Sequence, residues 1–87
     1  MANLKNCALI ADAFGPSGFE HAVVDTLITL LGDVKYEKDS MQNLYATLPQ
    51  NTGAKPVVML DAHTDEVGFM VQSITANGLL KLVPLGG

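Results

Sequence analysis

The spacing of apolar positions changes several times along this chain of 87 residues, and each change predicts an element. Between Asn3 and Phe14, Leu4, Cys7, Ala8, Ala11 and Phe14 recur at three and four residues, one face of a helix. Gly15-Pro16 ends that helix, because proline cannot continue the hydrogen-bond ladder. Ser17 stands three residues before Glu20, the spacing of a capping box, so a second helix is expected over Phe19 to Leu31. Val23, Val24, Leu27, Ile28, Leu30 and Leu31 give it a wide apolar face and predict deep burial, and Gly32 closes it.

After Asp33 the period falls to two. Val34 and Tyr36 alternate with Lys35 and Glu37, the alternation returns at Leu44, Ala46 and Leu48, and the two runs predict a hairpin around Asp39 to Asn43. Pro49 to Lys55 reads as a polar loop. Val57, Val58, Met59 and Leu60 are a continuous apolar run, the pattern of a strand buried on both faces. A second alternating segment, Val67 to Thr75, leads through the turn signal Asn77-Gly78 to a return strand over Leu79 to Val83. The order α-α-β-β-β-β-β predicts an α/β fold in which two N-terminal helices pack on one face of a mixed β-sheet, the other face being left without cover.

Polar residues concentrate where that pattern predicts the end of the buried strand. Asp61, His63, Thr64, Asp65 and Glu66 crowd six positions in which a core-forming segment has no use for charge, and in open α/β sheets ligands gather beyond the carboxyl ends of strands. An imidazole is a good ligand for zinc, cobalt or manganese, and a carboxylate two residues away can accept a hydrogen bond from the ring nitrogen that faces away from the ion. On residue types alone, however, a single histidine is not a metal site, and the bare His-x-Asp pattern also suits a hydrogen-bonded structural histidine.

Composition narrows the partners. A net charge of −4, with five basic residues that are all lysine, cannot neutralise a phosphate track, so nucleic acid is not expected. The longest uncharged stretch, Val67 to Leu80, carries too many polar residues to cross a bilayer, so no membrane is expected either. Cys7 alone excludes an internal disulfide framework, and the N-terminus lacks the pattern of a signal peptide, which together indicate the cytoplasm. Yet 48% of the residues are hydrophobic and the mean hydropathy is +0.27, high for a chain of this size. Self-association, or contact with further chain, is expected through that surplus.

The segment Leu60-Asp61-Ala62-His63-Thr64-Asp65-Glu66-Val67-Gly68-Phe69 closely resembles the first metal-binding motif of the M42 family of metallo-aminopeptidases, whose members are often labelled glutamyl aminopeptidase, deblocking aminopeptidase or endoglucanase. Gly15-Pro16-Ser17-Gly18-Phe19-Glu20 is similar to that family's N-terminal signature, and Ile74 to Gly87, with its final Leu-Gly-Gly, to its continuation. The resemblance implies a metal ligand at His63 and, at Asp65, the aspartate that orients it and is counted as catalytic. It implies a divalent metal, zinc or cobalt, in the complete enzyme, without requiring that this chain hold an ion by itself. The family's other ligands and its general base have no counterpart here. The whole chain, residues 1–87, is therefore expected to be the N-terminal part of an M42-like peptidase catalytic domain, lacking the oligomerisation insert and the C-terminal half, and inactive alone. Peptides would be the substrate of the complete enzyme.

The alternative is a non-catalytic interaction or structural module derived from such a peptidase, with the motif kept for packing. A glycosidase is disfavoured, since no aromatic platform lines a sugar cleft. Other residues have plainer readings. His21 is a solvated side chain in the first turn of a helix, Cys7 a small core residue, and Ser17 a cap before it is a nucleophile. Glu66 reads as solvent-facing ahead of a group that approaches substrate or metal, and Asp61 as either a polar group of the site or a loop former.

Overall fold

The computed structural model describes residues 3–87. Helix α1 spans Leu4–Asp12 and α2 spans His21–Leu31; strands β1 (Tyr36–Lys38) and β2 (Leu44–Ala46) form one antiparallel pair, and β3 (Gly68–Ile74) and β4 (Leu80–Leu85) another. The mixed helix-and-strand class is the one expected from the sequence. Its strands, however, make two separate ladders rather than one sheet among the described residues.

Local chemistry explains the helix ends. The Asn3 side chain caps α1 by accepting from the Asn6 amide at 3.3 Å. Before α2 the chain makes a tight turn, closed by the Phe19 N–H on the Pro16 carbonyl at 2.8 Å, with Gly18 at φ 89°. Ser17 is inside that turn, so it does not cap the helix as its spacing suggested. Glu20 occupies the cap position instead, and its carboxylate reaches back to the Gly18 N–H at 2.8 Å. Within α2, Thr26 and Thr29 donate their hydroxyls to the carbonyls of Ala22 and Asp25.

Both hairpins fall where the alternation placed them. Tyr36 faces Ala46 and Lys38 faces Leu44 in the first. The second pairs Gly68 with Leu85 through Ile74 with Leu80, with an irregularity between Val71 and Ser73. Its turn is closed by the Gly78 N–H on the Thr75 carbonyl at 3.0 Å, and Gly78 takes the left-handed φ of 83° that a side chain would resist.

The expected strand over Val57 to Leu60 does not form. Those four residues are irregular and 63–94% exposed. An apolar run becomes a doubly buried strand only when neighbours supply both a ladder and two covering faces, and no described strand lies beside this one. Burial is correspondingly scarce: the buried residues among those described are Gly15, Pro16, Val23 and Val24. Helix α2 is thus buried at one spot rather than along a wide face, and Cys7, expected in a core, is exposed. The accessible surface is 7442 Å², against about 4,900 Å² for a folded monomer of this mass. The radius of gyration is 17.5 Å, against about 12 Å for a compact chain of this length.

Candidate functional site

The polar cluster hangs from its downstream end. No regular strand leads into Asp61, but the Glu66 N–H donates to the Gly15 carbonyl at 2.9 Å, and Pro16 and Glu66 form an isolated parallel bridge. The segment carrying the motif is therefore tied to the turn between the two helices, against the small buried cluster that includes Val23 and Val24.

His63 and Asp65 come together as their spacing suggested. The Nδ1 of His63 lies 2.9 Å from Asp65 Oδ1 and 3.0 Å from the Asp65 backbone oxygen. Both partners are acceptors, so the neutral ring carries its proton on Nδ1 and turns the Nε2 lone pair outward. This tautomer is assigned from the hydrogen-bond pattern. The His63 side chain is 85% exposed and that of Asp65 38%, so Nε2 is accessible while its orienting partner is half-covered. That arrangement is what one metal ligand needs: a free imidazole nitrogen, with the opposite nitrogen held by a carboxylate.

It is a single oriented histidine and not a complete metal centre. Among the described residues no three His, Cys, Asp or Glu side chains come together to hold a metal ion. His21 opens α2, Ser17 is in the preceding turn, and Asp61 is exposed, so none of them joins His63 and Asp65 in a larger constellation. Glu66 contributes its backbone to the tie with Gly15 and borders an open pocket of about 360 Å³ that also touches Ile10, Ala13, Leu27, Ala62 and His63. The histidine therefore stands at the rim of a largely apolar depression between the helices and the motif segment. The tie of Gly15 to Glu66 was not legible in the sequence, where Gly15-Pro16 read as a helix stop and as part of the signature-like segment Gly15 to Glu20.

The histidine and the carboxylate two residues on lie within the part of the chain that matches a peptidase family. The family model described as M42 glutamyl aminopeptidase matches residues 42–87, and the chain belongs to that family. It is 42% identical over 73 residues to the glutamyl aminopeptidase of Lactococcus lactis subsp. cremoris, covering 82% of this chain and 21% of that protein. It is 38% identical over 81 residues to the lysyl aminopeptidase of Pyrococcus furiosus, covering 90% of this chain and 22% of that protein. The chain spans about a fifth of the length of these relatives. No helix among the described residues is long and apolar enough to cross a membrane.

Proposed function

We propose that this chain carries the first metal-binding half-site of an aminopeptidase that depends on two divalent ions and removes N-terminal residues from peptides in the cytoplasm, and that it is inactive alone. The observation that carries the reading is the contact of His63 Nδ1 with Asp65 Oδ1 at 2.9 Å, inside the motif of a family of aminopeptidases. His63 offers Nε2 to zinc or cobalt. Asp65 holds the ring in the tautomer and orientation that make this nitrogen available and raises its basicity. Ions held there would supply polarisation of the scissile carbonyl and acidification of an attacking water. The proton of that water needs a general base, and the remaining ligands and this base fall to chain beyond residue 87 in the full-length enzyme.

The surface supports an incomplete domain. Val57 to Leu60 is exposed and unpaired, and the accessible area exceeds that of a folded monomer of this mass by about 2,500 Å². An isolated chain is accordingly expected to self-associate.

Calorimetric titration of the metal-free chain with Zn²⁺ and with Co²⁺, beside His63→Ala, tests the assignment. Binding that disappears in the variant supports His63 as the ligand. Heat that persists unchanged in His63→Ala assigns the binding to other groups and leaves a non-catalytic module as the better reading.

A further inference from the structure

The peptide unit joining Asp65 to Glu66 is held at both ends. Its carbonyl oxygen lies 3.0 Å from His63 Nδ1, and its N–H donates to the Gly15 carbonyl at 2.9 Å. Because the peptide is planar and trans, its N–H and C=O point in opposite directions, so fixing one end fixes the other. The result is a continuous chain of hydrogen bonds, from the His63 N–H through one peptide to the carbonyl of a residue in the turn between α1 and α2. Successive dipoles in such a chain reinforce one another. Upstream of His63 the irregular Val57–Leu60 segment supplies no comparable anchor.

The turn is built to approach closely. Gly15 and Pro16 are buried, although Gly15 does not have the positive φ that would require glycine for its backbone. Space is what requires it: a Cβ on Gly15 would run into Cγ2 of Val23 and stand 3.4 Å from the Thr64 carbonyl oxygen. On the motif side, a Cβ on Gly68 would lie 3.1 Å from Pro16 Cβ and 3.3 Å from its Cγ. Gly15 thus lets the turn seat against Val23 of α2 beside the motif segment, and Gly68 lets that segment approach Pro16.

From this we infer that Gly15, with Pro16, is a positioning residue for His63: its carbonyl holds the 65–66 peptide so that both acceptors of Asp65 face Nδ1 and Nε2 is left free to bind metal. The inference rests on the reading of His63 as a ligand for its functional meaning. Its structural content can be measured without metal.

The experiment is long-range ¹H–¹⁵N spectroscopy of the histidines in the metal-free 87-residue chain at alkaline pH. His63 is expected as the Nδ1–H tautomer, whereas a free imidazole favours Nε2–H. Gly15→Ala is expected to lose the Nδ1–H preference, and Gly15→Ala combined with Val23→Ala, which removes the obstructing methyl, to regain it; Val23→Ala alone retains it. Gly68→Ala presses on the tie from the opposite side without touching Val23 or Val24 and decides the matter if Gly15→Ala does not fold; it too is expected to lose the preference. Circular dichroism verifies that the helices are present in each variant. A wild-type tautomer in folded Gly15→Ala, or in Gly68→Ala where the former is unfolded, overturns the inference, as does a double variant that folds without regaining Nδ1–H. Zinc titration separates the two ideas: affinity unaffected by His63→Ala removes the ligand reading and leaves the tautomer result standing.

Discussion

The Oδ1 of Asp65 lies 2.9 Å from His63 Nδ1, and the backbone oxygen of the same residue lies 3.0 Å from it. One residue therefore supplies both acceptors that orient the ring. Asp65→Asn keeps an oxygen that can accept from Nδ1 but removes the negative charge, so the tautomer is expected to survive while metal affinity falls about 10–100-fold. Zinc titration of the variant against the parent chain measures this. Unchanged affinity would mean that the carboxylate contributes nothing through the ring.

The turn of the first hairpin should be sensitive to acid. The Asp39 carboxylate accepts from the Asn43 side-chain amide at 2.8 Å and from the backbone N–H groups of Asn43 and Met41 at 2.9 Å each. These bonds, led by the Asn43 side chain, hold its pKa below the ordinary value of 3.8. A carboxylate with a depressed folded-state pKa stabilises the fold fully above its unfolded value, and that contribution is lost as pH falls through the folded value. The β1–β2 hairpin is expected to loosen only below the ordinary carboxylate range. In Asn43→Ala the Asp39 pKa should rise toward its unfolded value, so the contribution is smaller and is gone at a higher pH. Carboxyl ¹³C titration of Asp39 and amide exchange in β1 and β2 read both effects.

Two apolar positions should respond very differently to truncation. Val24 is 0% exposed and Leu60 94% exposed. Val24→Ala is expected to cost roughly 2 kcal/mol, from lost burial and the cavity left behind. Leu60→Ala should stay within about 0.5 kcal/mol in the isolated chain, because nothing packs on it. Chemical denaturation followed by helix circular dichroism makes the comparison, and a large cost at Leu60 would show that the segment is covered in solution.

That covering can be sought directly. Lysine at both Val58 and Leu60 places charge on an apolar segment that has no ladder partner in the described fold. Sedimentation equilibrium is expected to show weaker association for the double variant than for the parent chain. Equal association would place the contact elsewhere.

Most of the local architecture could be read from residue spacing. The two helices and both hairpins depend on contacts between neighbours in sequence, so the periods around Val23 and the turn signals at Asp39–Asn43 and Asn77-Gly78 were sufficient. So was the pairing of His63 with Asp65, two residues apart. The misreadings share a physical cause. Val57–Leu60 has the composition of a buried strand, and Cys7 that of a core residue, but burial requires partners, and no residue's own pattern states whether they are present. Ser17 had the spacing of a cap, but Gly18 let the chain turn first and moved the helix start to Glu20. The tie between Gly15 and Glu66 joins residues far apart in the chain, and neither a helix stop nor a signature-like segment at Gly15-Pro16 states which distant residue it meets.

That tie limits where the motif can be transplanted. A protein engineer copying Asp61 to Glu66 onto a new scaffold would carry over the histidine and its aspartate, but leave behind the carbonyl that holds the intervening peptide and the two glycines that let it come close. The smallest portable unit is discontinuous: the turn at Gly15-Pro16, the valine against which it sits, and the segment from His63 to Gly68, with a host backbone that brings them to the same separation.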